Sequence, residues 1–99
     1  MSDVVVAAAR VRLVIRGARS LKEKRKVVRS IKDRLPQLFP IAVAEVADMD
    51  VYQSAILGLC AVGNDGRHLT SILQKAIDRL RAHPEAQLVD SDLQLLRMD

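Results

Sequence analysis

Lys22, Arg25, Lys26, Arg29 and Lys32 recur at short intervals along one stretch, and Arg16 and Arg19 stand just ahead of them. Read as a helix at about 100° per residue, the five share one arc of about 120°. Asp33 is the only acid inside that arc. Fixed cations on one face do not break bonds. They attract anions, and the chemistry open to them is phosphate binding. A solvated charged face is the plain alternative, and an acidic protein or a small anion is a further one.

Placement argues for a bound anion. Lys22, Lys24, Arg25 and Lys26 fall in the first turn and a half, where the helix dipole is positive. Each is unfavourable there by about 0.3–1 kcal/mol, less with salt. An anion held between the loop N–H groups, the helix start and these side chains reverses that sign. Lys24 differs from the rest, since the same count puts it in the apolar arc. There it is expected to snorkel past the sheet edge, or else to turn its ammonium toward the loop.

Catalytic chemistry finds less support. Some small enzymes bind an acyl phosphate with a loop arginine after the first strand and an asparagine on a later one. Arg16 or Arg19 with Asn64 imitates this, but only Gly17 represents the glycine-rich loop such enzymes use. His68 and His83 lie at opposite ends of one predicted helix, too far apart to share a metal. Glu45, Asp48 and Asp50 have the charge to draw a cation, yet acidic hairpin turns are usually only turns. Cys60 has no partner for a disulfide and reads as a small core residue between Leu59 and Ala61. No catalytic constellation, cofactor site or metal site is expected.

The elements that position the cations follow from periodicity. Residues 4–15 are apolar except at Arg10 and Arg12, which reads as a central strand. Its alternation puts Val5, Ala7, Ala9, Val11, Leu13 and Ile15 on one face. Ser20 and Glu23 form a capping box, and a helix is predicted from Leu21 to Leu35, with Pro36 and Pro40 bracketing its end. Its apolar side is Leu21, Val27, Val28, Ile31 and Leu35. Strands are predicted over Ile41 to Ala47 and Val51 to Gly63. A second helix, capped by Asp65, runs to about Ala82 with a stripe of Leu69, Ile72, Leu73, Ala76, Ile77 and Leu80. The last strand is Gln87 to Leu96.

The order strand, helix, strand, strand, helix, strand predicts an α+β, ferredoxin-like βαββαβ domain spanning 1–99. It has a four-stranded antiparallel sheet with two helices on one face. In the usual strand order the first strand lies beside the last, so Arg10 and Arg12 meet Asp90 and Asp92. The other sheet face, with Val4, Val6, Ala8, Val14, Ile56 and Val62, stays uncovered and invites a homodimer or another protein.

Composition is compatible with this. The 99 residues are 49% hydrophobic and 28% charged, with Phe39 and Tyr52 the only aromatics. Aromatic stacking of bases on the sheet is thus not expected. The net charge of +4 conceals a division: residues 1–35 carry 11 Lys or Arg and 3 Asp or Glu, a net of +8, which leaves −4 for the rest. No stretch reaches the roughly 20 apolar residues of a membrane span, and a cytoplasmic location is expected.

The run Arg19-Ser20-Leu21-Lys22-Glu23-Lys24-Arg25-Lys26-Val27-Val28-Arg29-Ser30-Ile31-Lys32-Asp33-Arg34-Leu35 resembles the hallmark of the YlxP-like family, small bacterial domains of unknown function. Val43-Ala44-Glu45-Val46 and Tyr52-Gln53-Ser54-Ala55-Ile56-Leu57-Gly58 resemble its later segments, in the same order. The chain departs at Tyr52, where a Trp is common, and at Ser54, where an Arg is common. The resemblance implies a ferredoxin-like fold and no established activity. Genes of this family often neighbour those of a translation initiation factor and a ribosome-binding factor, which implies work near the ribosome. The expectation is a non-enzymatic, RNA-associated domain that binds structured RNA or the ribosome through Arg16, Arg19, Lys22, Arg25, Lys26, Arg29 and Lys32. The alternative is a protein-interaction or dimerisation module built on the sheet face.

Overall fold

A computed structural model describes residues 3–98. The element order is β1 (Val4–Val14), α1 (Leu21–Leu38), β2 (Ala42–Ala47), β3 (Ser54–Gly63), α2 (Gly66–Arg81) and β4 (Gln87–Met98). The four strands form one antiparallel sheet in the order β2-β3-β1-β4. This is the ferredoxin-like α+β arrangement.

The strand alternation of β1 decides the layering. Val5, Ala7, Ala9, Val11, Leu13 and Ile15 are all buried beneath the helices. They meet Leu57, Leu59 and Ala61 of β3 and the apolar stripes of both helices in one core. From α1 that core takes Val27, Val28, Ile31 and Leu35; from α2 it takes Leu69, Leu73, Ala76, Ile77 and Leu80. Ile72 is only partly buried.

Local signals set the helix starts. Ser20 Oγ accepts the Glu23 N–H at 3.2 Å, and the Glu23 carboxylate accepts the Arg19 N–H, one residue before the usual capping-box donor. Asp65 Oδ1 accepts the N–H groups of Arg67 and His68 at the start of α2. Each cap satisfies donors that the helix itself leaves open.

Four expectations need correction. First, α1 does not stop before Pro36 but runs through it to Leu38. Pro36 has no N–H for the Lys32 carbonyl, but both residues are exposed, so water can take that acceptor's place. The Phe39 N–H then closes the end on the Leu35 carbonyl at 2.9 Å. Second, β3 begins at Ser54 rather than Val51. Ser54 Oγ donates to Asp48 Oδ2 at 2.8 Å, and the Val51 N–H donates to the Asp48 carbonyl at 3.0 Å, so the intervening residues curl into a loop. Third, Cys60 is exposed. Leu59 and Ala61 face the core, so the two-residue period of the strand turns Cys60 outward. Fourth, Lys24 does not snorkel, as described below.

Candidate nucleic-acid interface

Arg16, Arg19, Lys22, Arg25, Lys26, Arg29 and Lys32 are all exposed. The buried positions of α1 face the sheet, which leaves the five helical cations on the solvent side. Among the described residues, the ion pairs are Arg10–Asp92, Lys24–Glu45 and Arg81–Asp78. None involves any of the seven. Asp33, on the same arc, neutralises none of them. The charge of this face is therefore unspent within the described residues.

The topology adds a second wall. The end of β1 pairs with the start of β4, Val14 opposite Gln87. This brings the loop after β1 against the loop after α2. Between them lies an open cleft of about 1180 Å³. Arg16, Arg19 and Lys26 line it from one side, and Arg81 and His83 from the other. Arg16 Nε donates to Gln87 Oε1 at 2.8 Å, a neutral partner that fixes the guanidinium without cancelling its charge. The half-buried His83 accepts the Glu85 N–H on Nδ1 at 3.1 Å. This tautomer leaves Nε2 as the donor.

Lys24 is the exception among the cations. It is fully buried, its Nζ lying 2.9 Å from Glu45 Oε2 on β2. The same ammonium donates to the Asp48 carbonyl. Asp48 has φ of 59°, a left-handed conformation that aspartate tolerates better than most residues. Its carbonyl takes Lys24 and Val51 while its carboxylate takes Ser54. Helix α1 is thus pinned to the β2–β3 hairpin through charge. Burial is affordable because the ammonium has both a countercharge and a carbonyl. Glu45 and Asp48, considered above for a cation, are engaged by Lys24 and Ser54. Among the described residues no group of three or more His, Cys, Asp or Glu is arranged to hold a metal ion.

The remaining candidates separate. Arg10 pairs with Asp92 at 2.9 Å across β1 and β4, as expected, with both side chains 65% exposed. Such a pair contributes under about 1 kcal/mol. Arg12 sits opposite Asp90 in register without an ion pair. The asparagine of the acyl-phosphate comparison, Asn64, follows β3, while Arg16 follows β1. In the antiparallel register Val5 faces Gly63 and Val14 faces Ser54, so the two lie at opposite ends of the sheet.

Sequence reasoning missed Arg81, His83 and Gln87. No local motif marks them. Strand order was the available signal, because pairing β1 with β4 places the β4 entry beside the β1 exit.

Comparison with known proteins fits this architecture. The family described as "Protein of unknown function (DUF503)" matches residues 6–93. The chain belongs to this family. The DUF503 match extends from β1 into β4 and so includes α1 and both walls of the cleft. A curated relative, "Uncharacterized protein YlxP" of Bacillus subtilis (strain 168), is 28% identical over 83 residues, covering 84% of this chain and 90% of its own length. The resemblance carried by Arg19 to Leu35 holds. Neither DUF503 nor this relative has a described activity in those names, and nothing in them points to catalysis. No helix among the described residues is long and apolar enough to cross a membrane.

Proposed function

We propose that this DUF503 domain is a non-enzymatic RNA-associated protein of the cytoplasm, working at or near the ribosome, that holds phosphates with α1 and the loop before it. The observation that carries this reading is the unpaired basic face. Lys22, Arg25, Lys26, Arg29 and Lys32 are exposed together, and no acid among the described residues forms an ion pair with them. A purely structural role gives no account of Lys22, Arg25 and Lys26 at a helix N-terminus, where acids are preferred.

Recognition is by backbone and shape. Tyr52 lies in the β2–β3 loop and Phe39 caps α1, so neither lies on a strand. The sheet thus lacks stacking platforms, and base reading on it is disfavoured. A convex helix face following phosphates suits a structured RNA. The test is fluorescence anisotropy of a labelled ribosomal RNA hairpin at 50 mM salt. Micromolar or tighter binding supports the reading. No binding by folded wild-type protein overturns it.

The open sheet face favours a second reading. Val62 is 69% exposed, Met98 68% and Leu96 57%, beside Val4 and Val6. That patch is suited to a second copy of the chain, and such a dimer is compatible with RNA binding. Sedimentation equilibrium distinguishes the cases, since a strict monomer at high concentration removes the dimer.

A further inference from the structure

We propose that the cleft between the β1–α1 and α2–β4 loops binds a terminal phosphate, the phosphomonoester at the end of an RNA strand or on a free nucleotide. This deepens the phosphate-binding reading and rests on it; the cleft shares Arg16, Arg19 and Lys26 with the basic face and adds Arg81 and His83.

Arg16 is the central observation. Its guanidinium is held across the cleft rim by the Gln87 side-chain oxygen, through Nε alone. Holding an arginine with an amide fixes its direction and leaves both terminal nitrogens and the full charge for a ligand. Arg10 on the open sheet face is held by a carboxylate instead, and its charge is cancelled. Preorganised, uncancelled arginine is the arrangement that recognises phosphate oxygens in pairs.

Charge count selects the kind of phosphate. The lining holds Arg16, Arg19, Lys26 and Arg81 against Glu23 and Glu85, a net of +2, and the Asp78 partner of Arg81, at 3.5 Å, lies outside the lining. Glu23 accepts the Arg19 N–H, a neutral donor that leaves its charge in this count. A phosphodiester carries one negative charge, whereas a phosphomonoester carries about −1.5 to −2 at neutral pH. The monoester matches the cleft better, and diesters suit the more spread cations of α1. The Nε2 donor of His83 supplies a further hydrogen bond from the α2 side. The cleft, at about 1180 Å³, accommodates a nucleotide attached to that phosphate.

The experiment compares one RNA hairpin with a single-stranded tail in three forms: 5′-phosphorylated, 3′-phosphorylated and unphosphorylated. Affinities are read by anisotropy at fixed salt, with a nucleoside 5′-monophosphate and inorganic phosphate titrated separately against the protein by calorimetry. One phosphorylated form is expected to bind about tenfold tighter or more than the unphosphorylated strand. Monophosphate binding of similar strength assigns the free nucleotide as the source; preference without it assigns the strand end. Gln87→Glu gives Arg16 a carboxylate partner and is expected to bring the phosphorylated-to-unphosphorylated ratio to about one. Gly17→Asp adds an acid at a position where a new Cβ meets nothing within 4 Å, and is expected to do the same. Equal affinity for all three strands with no binding of monophosphate or phosphate overturns the cleft proposal while leaving RNA binding intact. So does a preference that survives both variants. Loss of all RNA binding with monophosphate still bound overturns the broader reading and keeps the cleft.

Discussion

Lys24 Nζ lies 2.9 Å from Glu45 Oε2, with the lysine side chain fully buried and the glutamate side chain 17% exposed. Glu45 Oε2 has no aligned hydrogen bond, so this contact is one of charge, while the directional bond of the ammonium goes to the Asp48 carbonyl. One cation of a basic helix is thereby withdrawn from the surface to anchor the helix.

Removing that lysine alone is expected to be costly. Lys24→Met leaves the Glu45 carboxylate without its countercharge and the Asp48 carbonyl with the Val51 N–H alone, and a loss of about 3 kcal/mol is expected. Replacing both partners, as Lys24→Met with Glu45→Leu, should recover a large part of the loss, since no uncompensated charge then stays behind. Urea denaturation of the two variants checks this. A single variant as stable as wild type would show that the pair does not anchor α1.

At Lys22 stability and binding should move in opposite directions. Lys22→Glu puts an acid in the first turn, where the dipole favours it by about 0.3–1 kcal/mol. The melting temperature should therefore rise slightly while RNA affinity falls several-fold. If affinity stays constant as stability rises, Lys22 belongs to a solvated face and not to the interface.

Cys60 reports on the sheet. It is exposed opposite Ala8 and Ala42 in register, on the face that no helix covers. A thiol reagent should modify it stoichiometrically in the folded protein at micromolar concentration. Protection that grows with protein concentration would reveal a second copy over this face.

Much of the fold was legible because two periods are plainly written. The alternation in Val4 to Ile15 matches its burial, and so does the three-four stripe from Leu69 to Leu80 except at the partly buried Ile72. Ser20 and Asp65 marked the helix starts because their side chains satisfy open N–H groups locally. What failed had non-local causes. Pro36 looked like a stop, but a missing donor on an exposed last turn is tolerated. Lys24 looked like a snorkelling residue because its partner is more than twenty residues away, on β2, with Asp48 supplying a carbonyl from a left-handed turn. The seven cations were readable one by one. The opposing wall of Arg81 and His83, and the neutral tether of Arg16 to Gln87, arise only when β4 returns beside β1.

The central claim is that the solvent face of α1 holds phosphates, and salt dependence tests it most directly. Binding of a structured ribosomal RNA fragment would be measured from 50 to 200 mM salt, for wild type and for the triple change Arg25→Glu, Lys26→Glu, Arg29→Glu, with circular dichroism to show that both are folded. Wild type should give a log–log slope of about −4 to −6, set by about five to seven phosphate contacts. The triple variant should lose binding, or retain it only weakly with a slope about two to three units shallower. A wild-type slope near zero, or a folded triple variant that binds as tightly and as steeply as wild type, would contradict the account.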